Sequence, residues 1–151
     1  MSPPVTSIIK PALIVVDLQE DFLPPNGSLA VSNGRDTIPI INNLLTLPFH
    51  LKIATKDWHP SNHISFASNH AATHLKNEGI THVYVVGLAA DYCVKCTAED
   101  SATEGFNTFI IEEGTRAVDP TSWETMNLGL KGVKVVSVTG EEVNQVRKLG
   151  N

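Results

Sequence analysis

Cysteine is scarce in this sequence, since Cys93 and Cys96 are the only two. Two cysteines do not make the disulfide framework of a small secreted protein, so we expect a reducing, cytoplasmic setting. The first residues, MSPPVTSIIKPALIVVD, also lack a charged segment followed by an apolar one, and no secretory signal is expected.

Basic residues and long apolar runs are also scarce. The chain has 11 Lys and Arg against 16 Asp and Glu, which gives a formal net charge of −5. This balance argues against nucleic acid or an anionic membrane surface as a partner. No apolar run approaches the roughly 20 residues that span a bilayer.

What the chain has instead is an alternation of short apolar runs and helical patterns. The predicted strands are 12–16, 50–55, 81–86, 108–111 and 133–138. A first helix is predicted to be capped by Asp36 and to stop before Pro48. The other predicted helices are 71–78, 91–104, 122–130 and 141–149, and 61–69 is predicted as a loop. This order predicts an α/β fold of one domain over residues 1–151, with a mostly parallel sheet of about five strands between two helical layers.

Polar side chains follow the first three predicted strands. Asp17 ends the first strand, Asp57 and His59 follow the second, and Cys93 follows the third. Because ligands of open parallel sheets bind beyond the carboxyl ends of the strands, we expect these four residues to share one rim.

Cys93 lies where the apolar run VYVVG passes into a helical pattern. Backbone N–H groups and the helix dipole favour a thiolate there, which predicts a nucleophile. A plain core cysteine is one alternative. A redox pair is another, because Cys93 and Cys96 form a CxxC sequence.

The segment after the second strand carries potential metal ligands. Asp57 and His59 are two residues apart, His63 lies four further on, and four of the six histidines fall between 59 and 74. Their mixture of donors favours Zn²⁺, with Fe²⁺ or Mn²⁺ as alternatives, although a polar loop without metal would have similar residues. Asp17 fits two roles equally well, as an acid/base group or as a residue that caps the following turn.

Three stretches together resemble the nicotinamidases, within the isochorismatase-like cysteine hydrolases. They are IVVDLQEDFLPPNGSLAV (14–31), ATKDWHPSNHISFASNH (54–70) and VYVVGLAADYCVKCTAEDS (83–101). The resemblance implies a Rossmann-like fold and the hydrolysis of nicotinamide, or a related small amide, to the acid and ammonia through a cysteine thioester, in NAD salvage.

The resemblance also implies a role for individual residues. Asp17 is the acid/base partner and Cys93 the nucleophile. The backbone N–H groups of Ala89 and Cys93 form the oxyanion hole, with a cis peptide bond before Ala89. By the resemblance, Phe22 lines the substrate pocket. From the residues alone, Phe22 and Trp58 are both candidate walls for a flat aromatic substrate, and both are equally typical of ordinary packing. The metal ligands implied are Asp57, His59 and His63.

One block of the resembling enzymes has no counterpart here, between the metal segment and the strand before Cys93. It supplies those enzymes with a further histidine ligand, a sheet strand and a catalytic lysine. Lys56, Lys76 and Lys95 lie nearby in sequence, but none occupies that lysine position. His70 and His74 are candidates for the missing ligand.

Two functional alternatives therefore remain open beside an amidohydrolase. One is a non-catalytic protein that keeps the scaffold for binding or assembly, and the other is a CxxC redox protein. Loss of a strand also exposes a sheet edge, which would favour a homo-oligomer.

Overall fold

The computed structural model describes residues 8–57 and 67–151, with the side chains of the second range described from residue 71. Within these ranges five strands alternate with five α-helices. The strands are β1 (Pro11–Val16), β2 (Leu51–Ala54), β3 (His82–Leu88), β4 (Asn107–Arg116) and β5 (Val133–Val136). The helices are α1 (Thr37–Leu45), α2 (Ala67–Asn77), α3 (Lys95–Thr103), α4 (Pro120–Met126) and α5 (Glu141–Lys148). The predicted α/β class is confirmed.

The strands form one parallel sheet in the order β2-β1-β3-β4-β5. Ile14 of β1 lies opposite Ile53 of β2 on one side and Val85 of β3 on the other. All six residues of β1 are buried, as expected for an uninterrupted apolar run in the centre of a parallel sheet. The chain order reverses across β1 and β3, which places a crevice at their carboxyl ends.

Helices cover both faces of this sheet. On one face, residues of α2, α3 and α4 join the core with Leu75, Ala98 and Trp123. On the other face, Ile41 and Leu44 of α1 pack with Val143 and Val146 of α5. Each central strand sends alternate side chains into the two cores, because successive Cβ atoms of a strand point to opposite faces. The result is the three-layer α/β/α arrangement.

Several predicted boundaries were wrong. Helix α2 begins at Ala67, so the predicted loop 61–69 is incorrect for its last three residues, while 61–66 lie outside the described ranges. Strand β4 continues to Arg116, well past the predicted end at Ile111. Asp36 occupies the N-cap position of α1, but its side chain makes no capping hydrogen bond.

Strand β2 lies at one edge of the sheet and has four residues. Leu51 and Ile53 are partly buried against the core, whereas Lys52 and Ala54 are exposed. Short edge strands with an exposed lysine are a common protection against unwanted strand pairing. In the part of the chain that is described, none of the helices has the length and apolar character needed to cross a bilayer.

Candidate active site

Three of the predicted polar residues follow neighbouring strands at the same rim of the sheet. Asp17 comes directly after β1, Asp57 follows β2, and Cys93 lies in a π-helical turn, Ala90–Val94, that follows β3. Asp17 and Asp57 both act electrostatically on the Cys93 thiol. The expectation that these residues share one rim is therefore confirmed for Asp17, Asp57 and Cys93.

Asp17 is held in an unusual backbone conformation. Its φ angle is +47°, in the left-handed region, and only 6% of the residue is exposed. The Asp17 N–H donates to the carbonyl oxygen of Thr55 at 3.1 Å, and the Thr55 hydroxyl donates to Asp17 Oδ1 at 2.8 Å. Non-glycine residues in this region are uncommon and are concentrated at functional sites.

The Asp17 carboxylate lies close enough to the Cys93 thiol to act on its pKa by hydrogen bonding and by charge. The pKa of Cys93 rises from 9.0 to about 12, because of partial burial first, then the bond to Asp17 and the negative charges of Asp17 and Asp57. The expectation of a thiolate stabilised by the helix dipole was therefore wrong. This shift favours a protonated thiol beside the Asp17 carboxylate.

Among the described residues, no lysine acts on the pKa of Cys93. The described groups whose charge does act on it, namely Asp17, Asp57 and Cys96, all raise it. Lys76 pairs with Glu104, and Lys95 pairs with Glu99 at 3.1 Å, so both ammonium groups are engaged elsewhere. The site formed by the described residues is thus anionic around a neutral thiol.

The peptide bond between Leu88 and Ala89 is cis, which confirms the expectation drawn from the resemblance. Leu88 and Ala89 belong to a small buried cluster with Leu23 and Val31. Phe22 is partly buried and packs against this cluster, so it lies on the same side of the sheet end as Ala89. Its predicted place beside the site agrees with this packing, but its role toward a substrate stays a prediction.

Gln19 holds the backbone of Asp57 by two hydrogen bonds. Gln19 Oε1 accepts from the Asp57 N–H at 2.8 Å, and Gln19 Nε2 donates to the Asp57 carbonyl oxygen at 3.1 Å. Gln19 and Thr55 are the two residues of this site that our sequence reasoning missed. A polar residue two positions after Asp17 and one at the end of a strand were the available signals.

The predicted metal segment is described only in part. Asp57 lies at the rim, whereas His59, His63 and Trp58 lie outside the described residues. Within the described residues no group of three or more His, Cys, Asp or Glu side chains could hold a metal ion. The chemistry of the set fits a divalent ion, since a carboxylate in an anionic site followed by two imidazoles in sequence is a donor set that suits zinc.

Cys93 and Cys96 are both exposed free thiols. They lie three residues apart across the junction between the π-helical turn and α3. The interpretation of Cys93 as a plain core cysteine is wrong, because a core cysteine would be buried. The redox interpretation stays untested.

A model of the isochorismatase domain matches residues 59–140. The nicotinamidase of Acinetobacter baylyi is 31% identical over 177 residues, covering 72% of this chain and 82% of the relative. The chain belongs to the isochorismatase family.

Solved structures show the same relationship. PnC1 of L. infantum, crystallised with nicotinate, superposes with a TM-score of 0.79 at 29% identity over 86% of this chain and 93% of that one. The pyrazinamidase of Pyrococcus horikoshii, in complex with zinc, superposes with a TM-score of 0.72 at 27% identity over 85% and 99% of the two chains.

The alignment with the A. baylyi enzyme is longer than this chain, at 177 against 151 residues. That relative therefore carries internal residues without a counterpart here. This agrees with the expected loss of a block that supplies a strand and a lysine to resembling enzymes.

Proposed function

We propose that this chain hydrolyses the carboxamide of nicotinamide, or of a closely related small aromatic amide, to the carboxylic acid and ammonia. The observation that carries the proposal is the position of the Cys93 thiol near the buried Asp17 carboxylate at the rim of the sheet, close enough for Asp17 to act on the pKa of the thiol. A nucleophile near a base that is itself oriented by a third group, Thr55, is the arrangement that covalent hydrolysis requires. The relatives named nicotinamidase and the nicotinate-bound neighbour support the choice of substrate.

In the proposed mechanism Asp17 takes the thiol proton as the Cys93 sulfur attacks the amide carbon. The N–H groups of Ala89 and Cys93 stabilise the oxyanion that forms. Asp17 then gives its proton to the leaving nitrogen, ammonia departs, and a thioester remains on Cys93. Water, deprotonated by Asp17, attacks the thioester and releases the acid, while the proton returns to the thiol.

The raised pKa of Cys93 shapes the first step. The raised pKa of Cys93 favours the protonated thiol as the starting state. In the proposed mechanism, proton transfer to Asp17 therefore accompanies the attack on the amide carbon. Resembling enzymes have a lysine that would favour prior ionisation, which makes the Asp17–Cys93 pair more important in this chain.

Asp57, His59 and His63 are the residues proposed to hold a divalent metal, with zinc favoured. A bound metal would act as a Lewis acid toward the pyridine nitrogen of the substrate and toward ordered water molecules. It would also supply positive charge in an otherwise anionic site. Zinc in the P. horikoshii neighbour supports this choice. Cytoplasmic localisation and self-association stay predictions.

Release of ammonia tests the function. Zinc-loaded protein incubated with nicotinamide is expected to release ammonia and nicotinic acid in equal amounts, and acid-quenched protein is expected to carry a nicotinoyl group on the Cys93 peptide. Cys93→Ala is the negative control, and Cys96→Ala is the matched variant that keeps the activity. No ammonia release at high enzyme concentration, or equal release by Cys93→Ala, would contradict the proposal.

A second function is favoured by one observation, the raised pKa of Cys93, on which no lysine of the described residues acts. Under this alternative the chain keeps the fold and a ligand pocket but does not turn over. Nicotinamide would then bind, as measured by calorimetry, while ammonia release stays at the level of Cys93→Ala.

Gln19 gives a test of the metal proposal that does not depend on turnover. Gln19→Ala removes the two bonds that orient the Asp57 backbone, and is expected to weaken zinc binding by about tenfold, the lower end of the range for residues that orient metal ligands. Competition with a chromophoric chelator measures the affinity. Gln145→Ala, on helix α5, is the matched control. Equal zinc affinity of Gln19→Ala and the unchanged protein would remove Gln19 from this role.

A further inference from the structure

Asp91 forms a carboxylate clamp between the turn that carries Cys93 and a distant loop. Its Oδ1 accepts from the Val118 N–H at 2.9 Å, and its Oδ2 accepts from the Asp119 N–H, also at 2.9 Å. Both oxygens are thus used on successive backbone amides of the β4–α4 connection. Hydrogen bonds to a charged acceptor are about twice as strong as neutral ones.

The loop that Asp91 holds is itself anchored. The Asp119 side chain caps α4 by accepting from the Ser122 N–H at 3.1 Å and from the Ser122 hydroxyl at 2.7 Å. Trp123, on the same helix, is buried in the core cluster that contains Ala90 and Val94. The Cys93 turn is therefore held in two ways. Its buried residues pack in the core cluster with Trp123, and the Asp91 clamp ties it to the β4–α4 connection.

The clamp matters because Cys93 is not held by its own packing. Ala90 and Val94 at the two ends of the turn are buried, whereas Tyr92 is 61% exposed and Cys93 is also exposed. The direction of the Cys93 sulfur toward Asp17 thus depends on the backbone of the turn. A displacement of about 1 Å in such a pair can cost on the order of 100-fold in rate.

We propose that Asp91 is a positioning residue, which holds the Ala90–Val94 turn so that the Cys93 thiol meets the Asp17 carboxylate. Its catalytic consequence rests on the amide hydrolysis proposed above, but its structural consequence does not. Asp91 acts through the backbone of the turn and does not touch the reacting atoms.

The test compares Asp91→Asn and Asp91→Glu with a matched clamp elsewhere. Glu113 provides it, because its carboxylate accepts from the Ser137 hydroxyl at 2.7 Å and from the Val138 N–H at 2.8 Å, between β4 and the end of β5. Glu113→Gln should therefore resemble Asp91→Asn in its general cost to the fold, without acting on the Cys93 turn.

Three measurements are made on each zinc-loaded variant. Hydrogen exchange reports the protection of the Val118 and Asp119 amides. Alkylation by iodoacetamide, resolved by peptide mass spectrometry, gives separate rates for Cys93 and Cys96. Steady-state hydrolysis of nicotinamide gives kcat and KM.

Asp91→Asn is expected to expose the two amides to exchange and to raise the alkylation rate of Cys93, whose proton is no longer held by Asp17, while Cys96 keeps its rate. We expect kcat to fall by about 10- to 100-fold with little change in KM, since the lost interaction orients the nucleophile rather than the substrate. Asp91→Glu, which restores the carboxylate, should recover part of each effect, and Glu113→Gln should leave all three measurements close to those of the unchanged protein.

The proposal is overturned if Asp91→Asn loses protection at Val118 and Asp119 while Cys93 alkylation stays unchanged, because the clamp would then be purely structural. An equal fall of kcat in Glu113→Gln would also overturn it, by assigning the effect to general stability. If the unchanged protein does not hydrolyse nicotinamide, amide hydrolysis has failed as the function, whereas exchange and alkylation still decide the role of Asp91.

Discussion

Asp17→Asn is expected to lower the rate of nicotinamide hydrolysis by about 10²- to 10⁴-fold, the usual contribution of a general acid–base group. Asparagine keeps the size of the side chain and an oxygen that can accept from the Thr55 hydroxyl, so the fold should survive. It cannot take the thiol proton, and it cannot deliver one to the leaving nitrogen. Turnover of nicotinamide, followed by ammonia release, measures the loss.

The same substitution should make the Cys93 thiol more reactive toward an alkylating reagent, although it lowers the rate of hydrolysis. The bond to Asp17 and the charge of Asp17 both raise the pKa of Cys93. Without them the pKa should fall from about 12 toward its ordinary value of 9.0, although burial and Asp57 still raise it. At pH 8 a larger fraction of Cys93 is then ionised, and iodoacetamide should alkylate it faster in the metal-free variant than in the metal-free unchanged protein.

This pair of opposite effects distinguishes a catalytic Asp17 from a structural one. A variant that had merely lost its folded site would lose turnover and would also expose Cys96 and the core to the reagent. Asp36→Asn is the matched control and should change neither measurement greatly, because the exposed Asp36 side chain makes no capping hydrogen bond to α1. If Asp17→Asn kept more than a third of the activity, Asp17 would not be the proton acceptor.

The sequence predicted the placement of Asp17, Asp57 and Cys93 because one general rule was sufficient. Apolar runs located the strands, and the alternation with helices made the sheet parallel, so residues after each strand had to gather at one rim. No such rule reveals the partners of these residues. Thr55 meets Asp17 because Val15 of β1 lies opposite Ala54 of β2, and that register is not visible in either apolar pattern.

The direction of the Cys93 pKa shift shows a different limit. The helix dipole, a local property of the turn that contains Cys93, favours a lower pKa for the thiol. Asp17 and Asp57, which the sequence places at the same rim, act on the thiol as negative charges and raise its pKa. Two carboxylates and partial burial outweigh a partial charge of roughly one half at a helix end.

The predicted ends of strand β4 and of the helix near Cys93 were wrong for local reasons. Residues 112–114 of β4 are Glu-Glu-Gly, a sequence that usually ends a strand, but Glu113 is kept in place by its bonds to Ser137 and Val138. The π-helical turn at Ala90–Val94 has no recognisable sequence pattern, and all of its residues except Ala90 fall within the predicted helix 91–104. These contacts depend on residues distant in sequence.

Gly87→Ala is expected to produce the largest loss of stability among substitutions near the site. Gly87 lies opposite Val16 in the sheet and has a φ angle of +112°. A Cβ atom there would lie 2.0 Å from the Val16 carbonyl oxygen and 2.6 Å from the Val16 nitrogen. Both are backbone atoms of the central strand, so neither can rotate away as a flexible side chain would.

Two costs combine in this substitution. An alanine at a strongly positive φ costs about 1 to 2 kcal/mol, and forcing β1 from β3 adds about 1 to 3 kcal/mol or more. The sum is a large part of the roughly 5 to 15 kcal/mol that stabilises a typical domain. Urea unfolding followed by circular dichroism measures the free energy of unfolding.

Gly105→Ala separates the two costs. Gly105 also has a positive φ, +97°, but no atom within 4 Å of the position that its Cβ would occupy. This variant should lose only the backbone term of about 1 to 2 kcal/mol, and the difference between the two variants is the cost of separating β1 from β3. Because Asp17 follows Val16 and the Cys93 turn follows β3, that separation should also move the carboxylate from the thiol, so Gly87→Ala protein that folds should hydrolyse nicotinamide more slowly than Gly105→Ala. Equal stability of the two variants would mean that the close approach of Gly87 to Val16 does not constrain the sheet.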